Sequence, residues 1–199
     1  MVSGCLHSAV LVGKTGLTHS LTHSLMSHHD AMLQVLSALM SSHNSERQQA
    51  ETFFTAQLDT SLLATVSALL DILGAADLNL DITLRNMSGV LLRRAIDPAS
   101  EWGSRISLAD MQELRTTLMN IWAAETQPVL LKRLSHIIAQ SAAAGEWSEL
   151  IPQVVGHGVT QSGEALLPIL GLIEILAEYC PDDMAANAQG LVSLLGTII

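Results

Sequence analysis

The side chains with most potential for chemistry crowd the start of this chain. His19 and His23 stand four residues apart, about one helical turn, and His28-His29 follow. Two imidazoles at that spacing can share a metal ion, but zinc needs three or four protein ligands in closed geometry, often with cysteine. The two cysteines, Cys5 and Cys180, are far apart and form no CxxC pair. These histidines, with His7, lie in residues 1–28, which are rich in Ser and Thr, contain Gly4, Gly13 and Gly16, and show no sustained apolar period. That composition predicts a flexible extension, so no metal site is expected there. Gly13-Lys14-Thr15 ends like a phosphate-binding loop, yet the earlier glycine is missing and no strand precedes it. Carboxylates are scattered over turns and helix faces, and helical periodicity assembles no Ser–His–Asp set. Neither enzyme activity nor a cofactor is expected. His136 and His157 fall inside helical patterns and should be packed or partly exposed neutral residues.

The composition narrows the class further. Hydrophobic residues make up 49% and charged residues 14%, too apolar for a disordered chain. So little charge suggests that a neighbouring segment covers part of the surface. Nine Lys and Arg against 19 Asp and Glu leave a net charge of -10. That balance lacks the basic footprint of a direct nucleic-acid binder and points to a basic protein partner or to ordinary solubility. Sparse cysteine suggests a reducing compartment. The apolar run near the start carries its charge after it, unlike a signal peptide. Met184 to Ile199 is uncharged but short, and Asn187, Gln189, Ser193 and Thr197 interrupt it. It reads as a buried helix, with no membrane insertion expected.

The elements follow from the spacing of apolar residues. Met32, Leu33, Leu36, Leu39 and Met40 share a helical face from Asp30 on. Ser45 with Gln48 is a capping-box pattern, which predicts a second helix with Ala50, Phe53, Phe54 and Leu58 inward and an Arg47–Glu51 pair on its surface. A strong apolar helix, Leu62, Leu63, Val66, Leu69, Leu70 and Leu73, should end at Gly74 through a positive φ. The chain restarts near Asn79 into its central stretch, residues 80–96, LDITLRNMSGVLLRRAI. Ile82, Met87, Val90, Leu91 and Ile96 form the expected apolar face, and Arg93-Arg94 precede the Asp97-Pro98 breaker. Residues 97–106 read as a polar interruption. Ser107 with Asp110 offers a cap for a helix with Leu108, Met111, Leu114, Leu118, Ile121 and Trp122 inward. Pro128 opens the next helix, with Val129, Leu130, Leu134, Ile137 and Ile138 inward. A shorter helix follows Trp147, then a longer one bent at Pro168, then a last one from Pro181 through Leu195. Phe53, Phe54, Trp122 and Trp147 are expected in the core.

No strand alternation persists. The second helix of each pair starts near Ser45, Asn79, Thr126 and Ser162, at spacings of 34, 47 and 36 residues. This is close to HEAT or armadillo repeats, whereas tetratricopeptide repeats would be more regular and carry a small-residue and aromatic signature that is absent. The expected fold is all-α: an α-α superhelix of the HEAT/armadillo solenoid type, with antiparallel helical hairpins stacked in a right-handed superhelix. Residues 1–28 are the expected extension, and residues 29–199 about four repeats plus the first helix of a fifth. Ile198-Ile199 end the chain on apolar residues, as a cut inside a longer array would. A single helical bundle is the competing architecture, dimerising through Leu194, Leu195, Ile198 and Ile199.

Two stretches carry a family resemblance. One is Arg47-Gln48-Gln49-Ala50-Glu51 after the turn containing Asn44, and the other is Arg85 to Arg94, RNMSGVLLRR, with Ser88 where a small residue is usual. Together with the basic run TQPVLLKRLSHIIAQSAA and Trp147, they resemble the N-terminal HEAT repeats of the importin-beta (karyopherin-beta) family. The flavour is nearest to the large importins that carry ribosomal proteins and histones. The resemblance covers residues 30–199, with its sharp motifs in a minority of them. It implies a nuclear transport receptor that binds the GTP form of the small GTPase Ran, carries import cargo, basic cargo among it, touches nucleoporins, and shuttles between cytoplasm and nucleus. Ran contacts would come from the second helices, with Arg47, Glu51, Arg85, Arg93 and Lys132 as candidates. The same residues are also what ordinary solvated helix faces carry. Arg94 could snorkel along the core edge or bond to the next repeat. A generic HEAT scaffold without Ran binding is the alternative.

Overall fold

The computed structural model describes residues 27–75, 80–97, 102–145 and 147–196. His7, His19, His23, Cys5, the Gly13-Lys14-Thr15 echo, Asn79 and Ile198-Ile199 lie outside the described residues. The described residues form helices and no strand: α1 (His28–Leu39), α2 (Asn44–Thr60), α3 (Leu62–Gly74), α4 (Ile82–Ala95), the single turn α5 (Trp102–Arg105), α6 (Leu108–Ala124), α7 (Pro128–Ala143), α8 (Leu150–Gly158), α9 (Leu167–Tyr179), α10 (Pro181–Ala186) and α11 (Ala188–Gly196). None of them is long and apolar enough to cross a membrane.

Local chemistry sets several of the starts. The Ser27 hydroxyl accepts from the Asp30 amide at 3.2 Å, so α1 begins at His28 and places His28-His29 in its first turn. The Asp81 carboxylate accepts from the Thr83 amide at 2.8 Å, which holds that carboxyl below its ordinary range. Ser107 caps α6 through the Asp110 amide at 3.1 Å, and Pro128 opens α7 where no amide hydrogen is needed. The Ser45 capping box does not form. α2 already starts at Asn44, so Ser45 lies inside the first turn, too late to cap it. The turn is held by Ser41, whose hydroxyl accepts from the His43 amide at 3.1 Å and bonds to Glu46.

Helices pack on their neighbours in two series. α1 packs on α3 and α3 on α6, while α4 packs on α7 and α7 on α9. Cross-links between them are α1 with α2, α3 with α4, α6 with α7, and α8 with α9. α11 packs back on α8. α3 and α7 have neighbours on several sides, which is why their apolar residues run beyond one stripe. Leu69, Ile72, Leu73, Leu130, Leu134, Ile137 and Ile138 are fully buried. Each such side chain contributes about 1.5–3 kcal/mol over leaving it in water, so these two helices dominate the core.

Several expected faces are rotated. On α4, Ile82 and Val90 are 40% and 39% exposed, while Arg85, Ser88, Gly89, Leu91, Leu92 and Ala95 are buried. α4 lies between α3 and α7, and its small residues face inward so that the three backbones can approach. Leu108 and Val129 sit at helix starts and are exposed. Trp102 and Ile106, within the expected polar interruption, are buried, and Trp102 lines a small internal cavity with Leu70, Leu92 and Leu114. Gly74 ends α3 without positive φ, which among the described glycines belongs to Gly163 at 60°. A Cβ on Gly74 would meet Ile121 at 2.9 Å, so close packing is what requires glycine there. Pro168 does not bend a long helix. It sits in the first turn of α9, after a 3-10 turn at Gly163–Leu166, so it breaks no helical hydrogen bond. The final helix is two, divided at Asn187, whose side-chain amide donates to the Asp183 carbonyl at 2.8 Å.

Ser107→Ala should lower unfolding stability by about 1 kcal/mol. Ser45→Ala should change it by less than about 0.5 kcal/mol, although the sequence marks both serines as caps. Urea midpoints of the two variants measure the difference.

Candidate protein-binding face

The helices α2, α3 and α7 are among those that end without a basic residue in their last turn. The last carbonyls of a helix need donors. Here arginines from elsewhere supply them. Arg105 donates to the Leu58 and Asp59 carbonyls of α2 at 2.7 and 3.0 Å. Arg115 of α6 donates to the Ser141 and Gly145 carbonyls at the end of α7, at 3.3 and 3.1 Å. Its guanidinium lies 4.9 Å over the Trp147 ring, and burial draws it below its ordinary pKa while Glu149 opposes that shift. Arg85 of α4 donates from Nε to the Leu73 carbonyl of α3 at 2.9 Å and pairs through Nη2 with Glu125. The other oxygen of Glu125 accepts from the Thr126 and Gln127 amides, both at 2.8 Å, just before α7.

Arg85, expected on a partner-binding face, is instead buried: it is 7% exposed and joins α3, α4, α6 and α7. Arg47 is also turned inward on its own turn. It donates to the Ser41 carbonyl at 2.6 Å and to Asn44 at 3.2 Å, and does not pair with Glu51. Glu51 stays exposed on α2. Phe54, Trp122 and Trp147 are buried and Phe53 is half-buried.

Arg93 and Lys132 lie on adjoining helices α4 and α7 and border different cavities. Arg93 donates from Nε to Gln140 at 3.0 Å and from Nη2 to the Tyr179 hydroxyl at 2.9 Å, so α4, α7 and α9 meet through it. Gln140 returns a bond to the Arg93 carbonyl at 3.1 Å. Sequence reasoning missed Arg133, which donates to Asn86 at 3.3 Å. A Cβ on Gly89 would fall 2.6 Å from Arg133 Cγ, so glycine lets that stem lie across α4. Its place beside Lys132, and seven residues before Gln140 on the same helix face, was the available signal. Arg94 extends over the Phe54 ring at 5.8 Å, an edge-of-core position.

Arg93, Arg94, Arg133, Gln140 and Tyr179 bound an open cavity of about 590 Å³. A second groove of about 670 Å³ runs between α7 and α9, lined by Leu131, Lys132, His136, Leu167, Ile175 and Glu178. His136 packs edge-on against Tyr179. Burial lowers its pKa first, and Arg93, Lys132 and Arg133 lower it further, with Glu178 opposing. His157 is exposed and contacts the Trp122 ring edge-on. Burial pushes the Cys180 thiol up, with Asp183 adding to it, which disfavours the nucleophilic thiolate. Among the described residues no group of three or more His, Cys, Asp or Glu is placed to hold a metal ion. The groups lining these two cavities offer charge, hydrogen bonding and apolar contact.

Comparison with protein-family models, with curated proteins and with solved structures found no match.

Arg85→Ala leaves Glu125 buried without its cation and should cost about 3–5 kcal/mol of unfolding stability. Arg85→Lys should restore only part of it, because an ammonium cannot reproduce the fork that reaches both Leu73 and Glu125. Denaturant unfolding checks both. His136 has a folded pKa below its ordinary value of 6.5, so its neutral state favours folding above that pH. That contribution should fade as pH drops below 6.5 toward the folded pKa. His136→Asn should flatten the fall in urea midpoint between neutral and mildly acidic pH relative to the parent chain.

Proposed function

We propose that this chain is a helical-hairpin solenoid that binds other proteins, the N-terminal part of a nuclear transport receptor of the importin-beta kind. The observation that carries the reading is the serial packing of α4 on α7 and α7 on α9, with α1, α3 and α6 in a second series. Second helices of successive hairpins then form one row and first helices the other. Hairpins that complete each other's cores in this way keep the outer faces of both rows for partners. The right-handed superhelical stack is the long-range form of that arrangement.

The resemblance at Arg47–Glu51 and Arg85–Arg94 supports the transport reading over a generic scaffold. Burial of Arg85 gives its motif a structural reason: the arginine ties the hairpins together. Glu51, Arg93 and Lys132 remain as candidate Ran contacts, on second helices α2, α4 and α7. Nucleotide would be held by Ran, and binding would rest on shape and charge. Import cargo and nucleoporins are the further partners of this reading, and shuttling between cytoplasm and nucleus its setting.

The deciding experiment measures binding to Ran loaded with a non-hydrolysable GTP analogue and with GDP. The expected result is a clear preference for the GTP form, weakened by Lys132→Glu or Glu51→Lys without loss of helical circular dichroism. A well-folded sample that binds both forms equally, or neither, would reduce the reading to the generic scaffold.

A further inference from the structure

We infer that the cavity bounded by Arg93, Arg94 and Arg133 is a docking site for an acidic segment of a partner protein. The site runs against the charge of the chain as a whole. The net charge is -10 with nine Lys and Arg in all. Arg85, Arg105 and Arg115 are engaged on helix ends, yet Arg93, Arg94 and Arg133 line one cavity of about 590 Å³. The field of Arg93 and Arg133 extends to the neighbouring groove, where both act in the same direction on His136. At physiological salt, charges more than about 8 Å apart are largely screened, so a ligand in the cavity responds to these guanidinium groups more than to the net charge.

The guanidinium groups are held in place before any ligand arrives. Gln140 and Tyr179 fix Arg93, Asn86 and the flat surface over Gly89 fix Arg133, and Phe54 supports Arg94. Fixed guanidinium forks suit carboxylates, which accept paired N–H donors, and prior fixation lowers the entropy lost on binding. Half-exposed Val90 and exposed Ala143 add apolar wall, so the cavity fits carboxylates carried on a peptide. Asp97 is the one carboxylate among its described lining residues. Residues 1–26 of this chain contain no Asp or Glu, so they cannot supply the acidic occupant. The occupant this charge and shape fit is a run of Asp and Glu from another protein. This goes beyond the transport reading, and its outcome is independent of any preference between the forms of Ran.

The test titrates the full chain into a fluorescein-labelled oligo-glutamate peptide and follows anisotropy. Saturable binding that weakens with added salt is expected. Arg94→Gln and Arg133→Gln should each weaken it about tenfold, while Lys132→Gln, the same charge change in the neighbouring groove, should change it less than about twofold. Arg94 is exposed, so Arg94→Gln with unchanged circular dichroism decides the matter even if Arg133→Gln fails to fold. The proposal is overturned by absence of saturable binding, or by equal weakening in Lys132→Gln, which would show diffuse attraction. It is also overturned if inorganic phosphate or a single-stranded DNA oligonucleotide competes as well as unlabelled oligo-glutamate, since the cavity would then be a general anion site.

Discussion

The arrangement of this protein depends on one buried ion pair. Arg85 holds the end of α3 through the Leu73 carbonyl and pairs with Glu125, which itself gathers the amides leading into α7. Burying a guanidinium and a carboxylate together is costly, and a pair with no other partners gains little over an apolar contact. Here Glu125 accepts from two amides besides the arginine, and Arg85 reaches a helix-end carbonyl as well. The pair thus satisfies backbone groups at the end of α3 and the start of α7 that would otherwise lack partners. Its effect is on relative placement: α4 cannot rotate or slide against α3 and α7 without breaking it.

Arg105 and Arg115 repeat the device at the ends of α2 and α7. A chain this poor in charge has few cations, and several of them close helix ends at a distance. Glycine and small residues do the complementary work. Gly74 admits Ile121, and Gly89 admits the Arg133 stem. Helices that approach closely and are pinned at their ends give a rigid surface. The Arg93–Gln140–Tyr179 contact joins α4 to a tyrosine 86 residues further along the chain.

The consequence for function is a separation of roles within a single sequence motif. Arg85 and Arg93 look alike in the stretch from Arg85 to Arg94, both as basic residues on a predicted amphipathic helix. One is buried in a junction and the other borders a cavity. Eight residues on a helix turn the side chain through two full turns plus about 80°, so spacing alone leaves both within one broad face. What separates them is the neighbour each meets: the end of α3 and the α6–α7 corner for Arg85, the flank of α7 and the end of α9 for Arg93.

The sequence by itself determined the all-helical character, most helix positions and the strongest core residues. Those rest on local rules: apolar recurrence every three to four residues, the Ser107 cap, and proline at the start of α7. It was less able to place α4 on its axis, because Ile82 and Val90 satisfy the apolar period while the contact between α3 and α7 selects Ser88, Gly89 and Ala95. Trp102 was hidden by its polar surroundings, and Pro168 by the continuous apolar run around it. Only the tertiary structure decided which arginines are consumed inside and which line the cavity. The physical reason is that a guanidinium several bonds from its backbone takes its role from acceptors that the fold brings to it, and those acceptors lie 12 to 86 residues away in this chain.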